Sequence, residues 1–217
     1  MVAARRSITP SPISSTWKTG AKSFESVMLT SQHVGVTNGP TPRNVSVLTV
    51  SPNFFDFLGT PAFAGRTFSR RDIPQIQNPP PLAVIGYKFW LKEFAGRNIL
   101  GQNLTLGSDT YKVIGVLPPR FTWFDTDVYT LQPMQPGIQG GVSVFLKLRK
   151  GTDLYSANAE LQSFTERAAR RLPLAYPALP FRMYAVPLQQ WLNGDKGPGR
   201  WLILVAAVCI LLLIAFC

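Results

Sequence analysis

The sequence is poor in the residues that build most active sites. It has two cysteines, Cys209 and Cys217, and both lie in the apolar C-terminal segment. The rest of the chain therefore has no thiol chemistry and no disulfide, and cysteine usage does not indicate a redox compartment. The one histidine, His33, lies in a strand-like run, where a lone histidine is more often structural than catalytic. Zinc sites and Cys-His or Ser-His-Asp constellations have little support.

Nucleotide-binding motifs are also missing. The chain has no Gly-x-x-x-x-Gly-Lys phosphate loop and no Gly-x-Gly-x-x-Gly run, so we predict that it does not hydrolyse nucleotides. Asp125 and Asp127 could hold a divalent metal, as a membrane-anchored hydrolase would require. Such pairs are common on loops, and no further ligands can be identified. The sequence therefore predicts no catalytic, cofactor-binding or metal-binding residue and a protein that is not an enzyme, with the metal-dependent hydrolase as the weakest alternative.

Acidic residues are scarce, with 11 Asp and Glu against 22 Lys and Arg, a net charge of +11. Such a charge is typical of proteins that bind nucleic acid or anionic lipid. The basic residues are dispersed, however, and the densest groups are the pairs Arg5-Arg6, Arg70-Arg71 and Arg170-Arg171. Since no nucleic-acid motif is present, we predict no nucleic-acid partner. A basic adaptor domain that binds an anionic polymer or lipid stays open, and its binding would fall with added salt.

The C-terminal segment, residues 201–217, contains no charge, no proline and no glycine: WLILVAAVCILLLIAFC. A membrane-spanning helix needs roughly 17–25 such residues, so this segment is just long enough. We predict the start of a transmembrane helix that is cut short, preceded by a flexible hinge at 191–200. A buried core helix is the alternative, but it would usually carry polar positions on one face. The first fifteen residues contain no apolar core of a signal peptide.

Hydrophobic periodicity predicts an α+β fold for the remainder. Short or alternating apolar runs indicate strands, and apolar residues recurring every three to four positions indicate helices. The predicted strands are 27–30, 34–37, 45–50, 82–85, 103–106, 110–117, 144–148 and 181–186. The predicted helices are 14–24, 51–59, 87–94 and a long one capped by Asp153.

Two helices carry specific expectations. Four apolar residues of the helix at 87–94 share one face and should be buried against the 103–117 hairpin. They are Tyr87, Trp90, Leu91 and Phe94. The long helix after Asp153, with a strand on each side, is typical of a split βαβ layer packed on a sheet. Residues 120–142 show no assignable pattern, and residues 1–13 are predicted to be a loose lead-in.

The order of several motifs resembles one known family. The series of motifs lies between Phe24 and Arg182 and begins with SFES. The motifs that follow, in order, are VSPNFFDFLGTPAFAGRTFSRRD, AVIGYKFWLKEF, ILGQNLTLGSDTYKVIGVLPPRF and LKLRKGTDLYSANAELQ. In this order they resemble the extracytoplasmic core domain of MacB/FtsX-type ABC transporter permeases, particularly the large permeases abundant in acidobacteria. The resemblance covers roughly residues 14–217, and no single motif would carry it alone.

The resemblance implies a two-part domain. Residues 14–58 and 143–190 would form a porter-like part of βαβ units, and residues 60–130 an inserted mixed α/β part. Residues 201–217 would begin the second transmembrane helix. Compared with the family pattern, the first transmembrane helix and the strand before Ser14 are missing from this sequence, so we expect a partial permease.

The resemblance also implies a function. In the family this domain lies on the periplasmic side of the inner (plasma) membrane and carries no active site and no cofactor. It couples ATP hydrolysis on a separate subunit to export or mechanotransmission. The implied partners are that ATP-binding subunit, a second permease copy that completes a dimer, and membrane lipid. The basic adaptor and the metal-dependent hydrolase remain the alternatives.

Overall fold

The structure is a computed structural model that describes residues 2–5, 22–37, 42–72, 80–131, 143–171 and 184–192. The strands in these residues form one mixed sheet of ten strands. The strands are β1 (Val2–Arg5), β2 (Phe24–Val36), β3 (Asn44–Val50), β4 (Ala64–Gly65), β5 (Leu82–Ile85), β6 (Asn103–Leu106), β7 (Asp109–Val116), β8 (Val128–Leu131), β9 (Ser143–Leu148) and β10 (Tyr184–Pro187). The helices are α1 (Phe54–Leu58), α2 (Tyr87–Phe94), α3 (Leu154–Arg171) and α4 (Leu188–Leu192), with a 3₁₀ turn at Arg70–Asp72. The α+β fold class predicted from the sequence is confirmed by this sheet and its few helices.

The strand order divides the sheet into two halves. Across the sheet the order is β10-β1-β9-β2-β3-β8-β5-β7-β4, and β6 pairs with β7 beside this path. We call β10, β1, β9, β2 and β3 the first half, and β8, β5, β7, β4 and β6 the second half. The first half includes the predicted split βαβ unit, because β1 lies antiparallel between β9 and β10 and the long helix α3 connects them.

The second half is built around a parallel pair, β5 and β7, connected through α2 and β6. β8 pairs antiparallel with β5 on one side and parallel with β3 on the other. Strand β6 also contacts the first half. Its last residue, Leu106, forms an isolated β-bridge with Thr37, which directly follows β2. The second half is thus tied to the first half at both of its sides.

Apolar residues pack on both faces of the sheet, since side chains alternate along each strand. On β3, Leu48 and Val50 belong to one core, whereas Val45 and Val47 belong to the other. The first core is rich in aromatic rings and contains Phe54, Phe55, Phe68, Tyr129 and Phe145. The second contains Ala83, Ile85, Phe89, Ile99, Leu104, Leu106, Val113, Val116 and Val128.

The helix at 87–94 is confirmed, but its buried face is not the predicted one. Phe89 is the residue that α2 buries, with 3% of its surface exposed. Leu91 is 48% exposed, and Tyr87, Trp90 and Phe94 are only partly buried beside the second core. An eight-residue helix with aromatic side chains around much of its circumference has no unique apolar stripe, so the prediction for Leu91 is wrong.

Three other segments differ from the predictions. The chain does contain a strand before Ser14, because β1 pairs with β9 and β10, so the expectation that this strand is missing is wrong. Phe24 begins the 13-residue strand β2 instead of ending a helix. Inside 120–142, where no pattern was assigned, Val128–Leu131 forms the fully buried strand β8.

Several local predictions are confirmed. The hairpin pairs Asn103–Leu106 with Asp109–Lys112. Helix α1 is shorter than the predicted 51–59, but Gly59 takes the expected left-handed conformation after it, with φ of 66°. The backbone N–H of Ser156 donates to the Asp153 carboxylate at 2.6 Å, which is the predicted cap of α3.

Some predictions lie outside the described residues. These are most of the helix at 14–24, the beginning of the strand at 181–186, residues 193–200 of the hinge predicted at 191–200 and the apolar segment 201–217. The first two residues of that hinge, 191 and 192, belong to helix α4 instead. Among the residues that the structure does describe, no helix is both long enough and apolar enough to cross a membrane.

Replacing Phe89 tests the buried face of α2. Phe89→Ala should lower the free energy of unfolding by about 3–5 kcal/mol, because it removes a buried aromatic ring and leaves a cavity. Trp90→Ala should cost less, since Trp90 is partly exposed. Lys92→Ala, on the exposed side, should change stability by less than about 0.5 kcal/mol. Urea unfolding followed by circular dichroism measures all three, and an equal, small effect of Phe89→Ala and Lys92→Ala would contradict this packing.

Candidate functional site

The residues considered as chemical groups have structural positions. The carboxylate of Asp127 accepts a hydrogen bond from the backbone N–H of Ser46 at 2.9 Å. Asp125 is exposed, with a φ of 51° in the left-handed region. His33 is exposed on β2, opposite Val47. Within the described ranges, no group of three or more His, Cys, Asp or Glu residues could hold a metal ion.

The basic pairs lie on separate elements. Arg5 belongs to β1, whereas Arg70 and Arg71 are exposed in the 3₁₀ turn. Arg170 is exposed on α3, 3.9 Å from the Glu166 carboxylate, at a spacing of four residues. An exposed pair of this kind contributes about 0–1 kcal/mol. These positions identify no single basic site for an anionic polymer.

The two halves of the sheet join where β3 and β8 run parallel. We call this contact, residues 46–50 with 127–131, the seam. The four paired positions run from Val47 opposite Val128 to Val50 opposite Leu131. In the middle of the seam the hydroxyls of Thr49 and Thr130 lie 3.0 Å apart. The seam therefore combines backbone pairing with a polar side-chain contact.

Asp127 fixes one end of the seam. Its carboxylate accepts from the Ser46 N–H, and its own N–H donates to the Ser46 carbonyl oxygen at 2.9 Å. Its carbonyl oxygen accepts from the N–H of Gly86, the residue before α2, at 2.8 Å. One residue thus connects β3 to the start of α2. The hydrogen bond from the Ser46 N–H to the Asp127 carboxylate is charge-assisted, and such bonds are stronger than neutral ones.

A second connection lies at the end of β2. The N–H of Gly107, in the hairpin turn, donates to the Val36 carbonyl oxygen at 2.7 Å. Nearby, the Arg43 guanidinium lies 3.0 Å from the carboxylate of Glu93 on α2. The halves are therefore joined at two separate places, which restricts rotation of one half against the other.

Helix α3 is attached to the first half by two polar side chains. The Glu160 carboxylate accepts from the backbone N–H groups of Lys22 and Ser23, each at 2.7 Å. Partial burial alone would raise the pKa of Glu160, but these hydrogen bonds and Arg167 outweigh it and lower that pKa. The amide of Asn158 bonds both backbone groups of Ala185 on the edge strand β10, at 2.6 and 3.3 Å. This amide occupies a position where a further strand could otherwise pair.

Beside Asn158 lies an open groove of about 460 Å³ between α3 and β10. Its lining residues are Tyr155, Asn158, Ala159, Gln162, Glu166 and Tyr184. Two exposed tyrosine side chains line the groove, and the Asn158 amide is hydrogen-bonded to the backbone of Ala185. The groove therefore offers aromatic and amide surface and one carboxylate.

Other displaced pKa values follow from packing. Burial raises the pKa of the Tyr129 phenol far above its ordinary value, although a hydrogen bond with Thr126 opposes the shift. Burial would also raise the pKa of Asp72, but hydrogen bonds from Arg66 and Ser69 outweigh it and lower that pKa. Arg66 is bidentate to Asp72, at 2.7 and 2.8 Å. The contacts of Asp72 with Arg66 and Ser69 stabilise the loop after β4, and Tyr129 packs in the aromatic core.

The sequence and the fold are similar to those of known proteins. The family model for the MacB-like periplasmic core domain matches residues 3–164. The periplasmic region of MacB from Actinobacillus actinomycetemcomitans is similar with a TM-score of 0.63 at 16% identity, over 89% of this chain and 86% of that chain. The extracellular domain of the ABC-type transporter YknZ from Gram-positive bacteria gives 0.59 at 16% identity, over 86% and 99%. No curated protein matches.

Removing the Asp127 carboxylate tests the seam. Asp127→Ala should lower the free energy of unfolding by about 1–3 kcal/mol, because the half-buried Ser46 N–H loses its charged acceptor. Asp125→Asn is the matched control and should have little effect, since Asp125 is exposed and asparagine tolerates its left-handed backbone. Chemical denaturation of both variants is the measurement. A loss of stability at Asp125 as large as that at Asp127 would contradict these separate roles.

Proposed function

Because the chain belongs to the MacB-like periplasmic core domain family, we propose that it is the extracytoplasmic domain through which an ABC transporter permease couples ATP hydrolysis on a separate subunit to export or mechanotransmission. The ATP-binding subunit is its proposed partner, together with a second permease copy and membrane lipid. Residues 201–217 are proposed to enter the inner membrane, with the domain on its periplasmic side.

The double connection between the halves of the sheet is the observation that supports this mechanism. A movement applied at β10 and α4, the elements that lead toward residues 193–217, would pass through hydrogen-bonded strands to the seam. At the seam Asp127 transfers it to α2, and at the end of β2 the bond from Gly107 to Val36 transfers it to the hairpin. Coupling of this kind requires packed elements that move as units.

We also propose that the seam is the boundary between the two parts of the domain. Strands β2, β3, β9 and β10 come from residues 14–58 and 143–190, the porter-like part. Strands β4 to β7 come from residues 60–130, the inserted part, and β8 begins there and ends one residue beyond it, at Leu131. The strand order supports this division, because these two sets occupy the two halves of the sheet.

A cysteine on the hairpin turn tests the location. Ser108 is exposed between β6 and β7, so Ser108→Cys in the full permease, with Cys209 and Cys217 replaced by serine, should react with a membrane-impermeant thiol reagent added to intact cells. The same permease without the new cysteine is the control. Labelling that requires cell lysis would place the domain on the cytoplasmic side.

Coupling to ATP can be measured at the same position. Spin labels on Ser108→Cys in two permease copies should give different distance distributions without nucleotide and with ATP bound to a hydrolysis-deficient partner subunit. Double electron–electron resonance in proteoliposomes measures these distances. A partner subunit without its phosphate-loop lysine should abolish the difference. Identical distributions in a complex that binds ATP would contradict coupling through this domain.

A further inference from the structure

Four apolar side chains form a surface cluster on the second half of the sheet, two of them exposed and two, Tyr87 and Trp90, partly buried. We call Phe63, Tyr87, Trp90 and Leu91 the aromatic patch. The Phe63 ring contacts Tyr87 edge-on, with centroids 5.3 Å apart, and lies 6.1 Å from the Trp90 ring. Phe63 is 54% exposed and Leu91 48% exposed. Single exposed apolar residues are ordinary, but a contiguous group of them marks an interaction surface.

Contacts within the chain fix the orientation of the side chains in the patch. The indole N–H of Trp90 donates to the Arg97 carbonyl oxygen at 2.8 Å, which fixes the ring. The side-chain ends of Trp90 and Leu91 both lie close to Gly96. A Cβ atom placed on that glycine would be 3.5 Å from the Leu91 side chain and 4.0 Å from the Trp90 ring. Aromatic rings held in one orientation lose little entropy when a partner binds, as is typical of residues that dominate binding energy.

The patch has a positive rim. Lys88 lies about one helical turn before Leu91, Lys92 directly follows it, and Arg97 comes just after the helix. All three are exposed, and none of them forms an ion pair in the described part of the chain. Glu93, the carboxylate of α2, is paired with Arg43. The surface around the rings is therefore positively charged, and it favours a partner that carries carboxylates.

The position of the patch favours a protein over a lipid. Phe63 directly precedes β4, the last strand in the sheet order, whereas β10 at the opposite end leads toward residues 193–217. In the strand order the patch and the elements that lead toward the apolar segment 201–217 therefore stand at opposite ends. A protein outside the membrane could reach this end of the domain.

We propose that the aromatic patch is the docking surface for an extracytoplasmic protein segment that presents an apolar side chain flanked by carboxylates. The apolar side chain would contact Phe63 and Leu91, and the carboxylates would pair with Lys88 and Lys92. The location of this partner rests on the proposed function, but the binding itself depends only on the patch.

A peptide selection tests the proposal. The purified full chain in neutral detergent is used to select from a phage-displayed library of random peptides. The enriched peptides should combine a large apolar residue with flanking Asp or Glu. Synthetic copies should lose at least tenfold in affinity for Phe63→Ser and for the Lys88→Glu, Lys92→Glu pair. Val34→Ser and Lys150→Glu, exposed changes on the first half of the sheet and outside the patch, should bind them like the unaltered chain.

Three results would overturn the proposal. One is enrichment of peptides that bind the patch variants as well as they bind the unaltered chain, or no enrichment at all. Another is self-association in sedimentation velocity that Phe63→Ser abolishes, which would assign the patch to a second copy. The third is displacement of the peptides by phosphatidylglycerol added to the micelles, which would assign it to lipid. None of these depends on ATP, so a failure here is distinguishable from a failure of the coupling measured at Ser108.

Discussion

The parallel pairing of β3 with β8 is the constraint on which the rest of the structure depends. It joins strands that are far apart in sequence, and residues 51–127 must fold between them. Closing so long a loop has an entropic cost that the paired backbone and the buried side chains must offset. The hydrogen bond from Ser46 to Asp127, which spans 81 positions, closes this loop at its end. Both cores of the sheet include side chains from the two seam strands.

The local elements were predictable from the sequence because their signals are local. The hairpin has alternating residues around a glycine-containing turn, and Asp153 precedes a regular apolar stripe. Strand β8 was not predictable, because VYTL is a four-residue run between aromatic and proline-rich segments and is stabilised by β3 and β5 on either side. β1 is equally short, and its partners β9 and β10 lie more than 130 residues away. Propensity is a weak signal for strands that depend on distant partners.

The candidate site shows the same limit. Spacing alone suggested that Asp125 and Asp127 act as a pair, yet the turn at Asp125 and the partner of Asp127 give them different environments. The structural role of Asp127 follows from its hydrogen bonds with Ser46 and Gly86, neither of which a motif search would connect with it. Spacing indicates which residues are neighbours in sequence, whereas the strand pairing determines which backbone groups each carboxylate can reach.

The mistaken face of α2 has a physical reason that bears on function. A helix that buries Phe89 and leaves Leu91 exposed departs from the pattern that would maximise burial of its apolar side chains. A contiguous exposed cluster is a cost to solubility, and the positive charges of Lys88 and Lys92 on the same helix offset it. Places where a sequence departs from simple folding rules without a compensating gain in stability are where functional constraints are expected. Because the seam fixes the start of α2 through Asp127 and Gly86, a partner that binds this face would act on the element through which the two halves are connected.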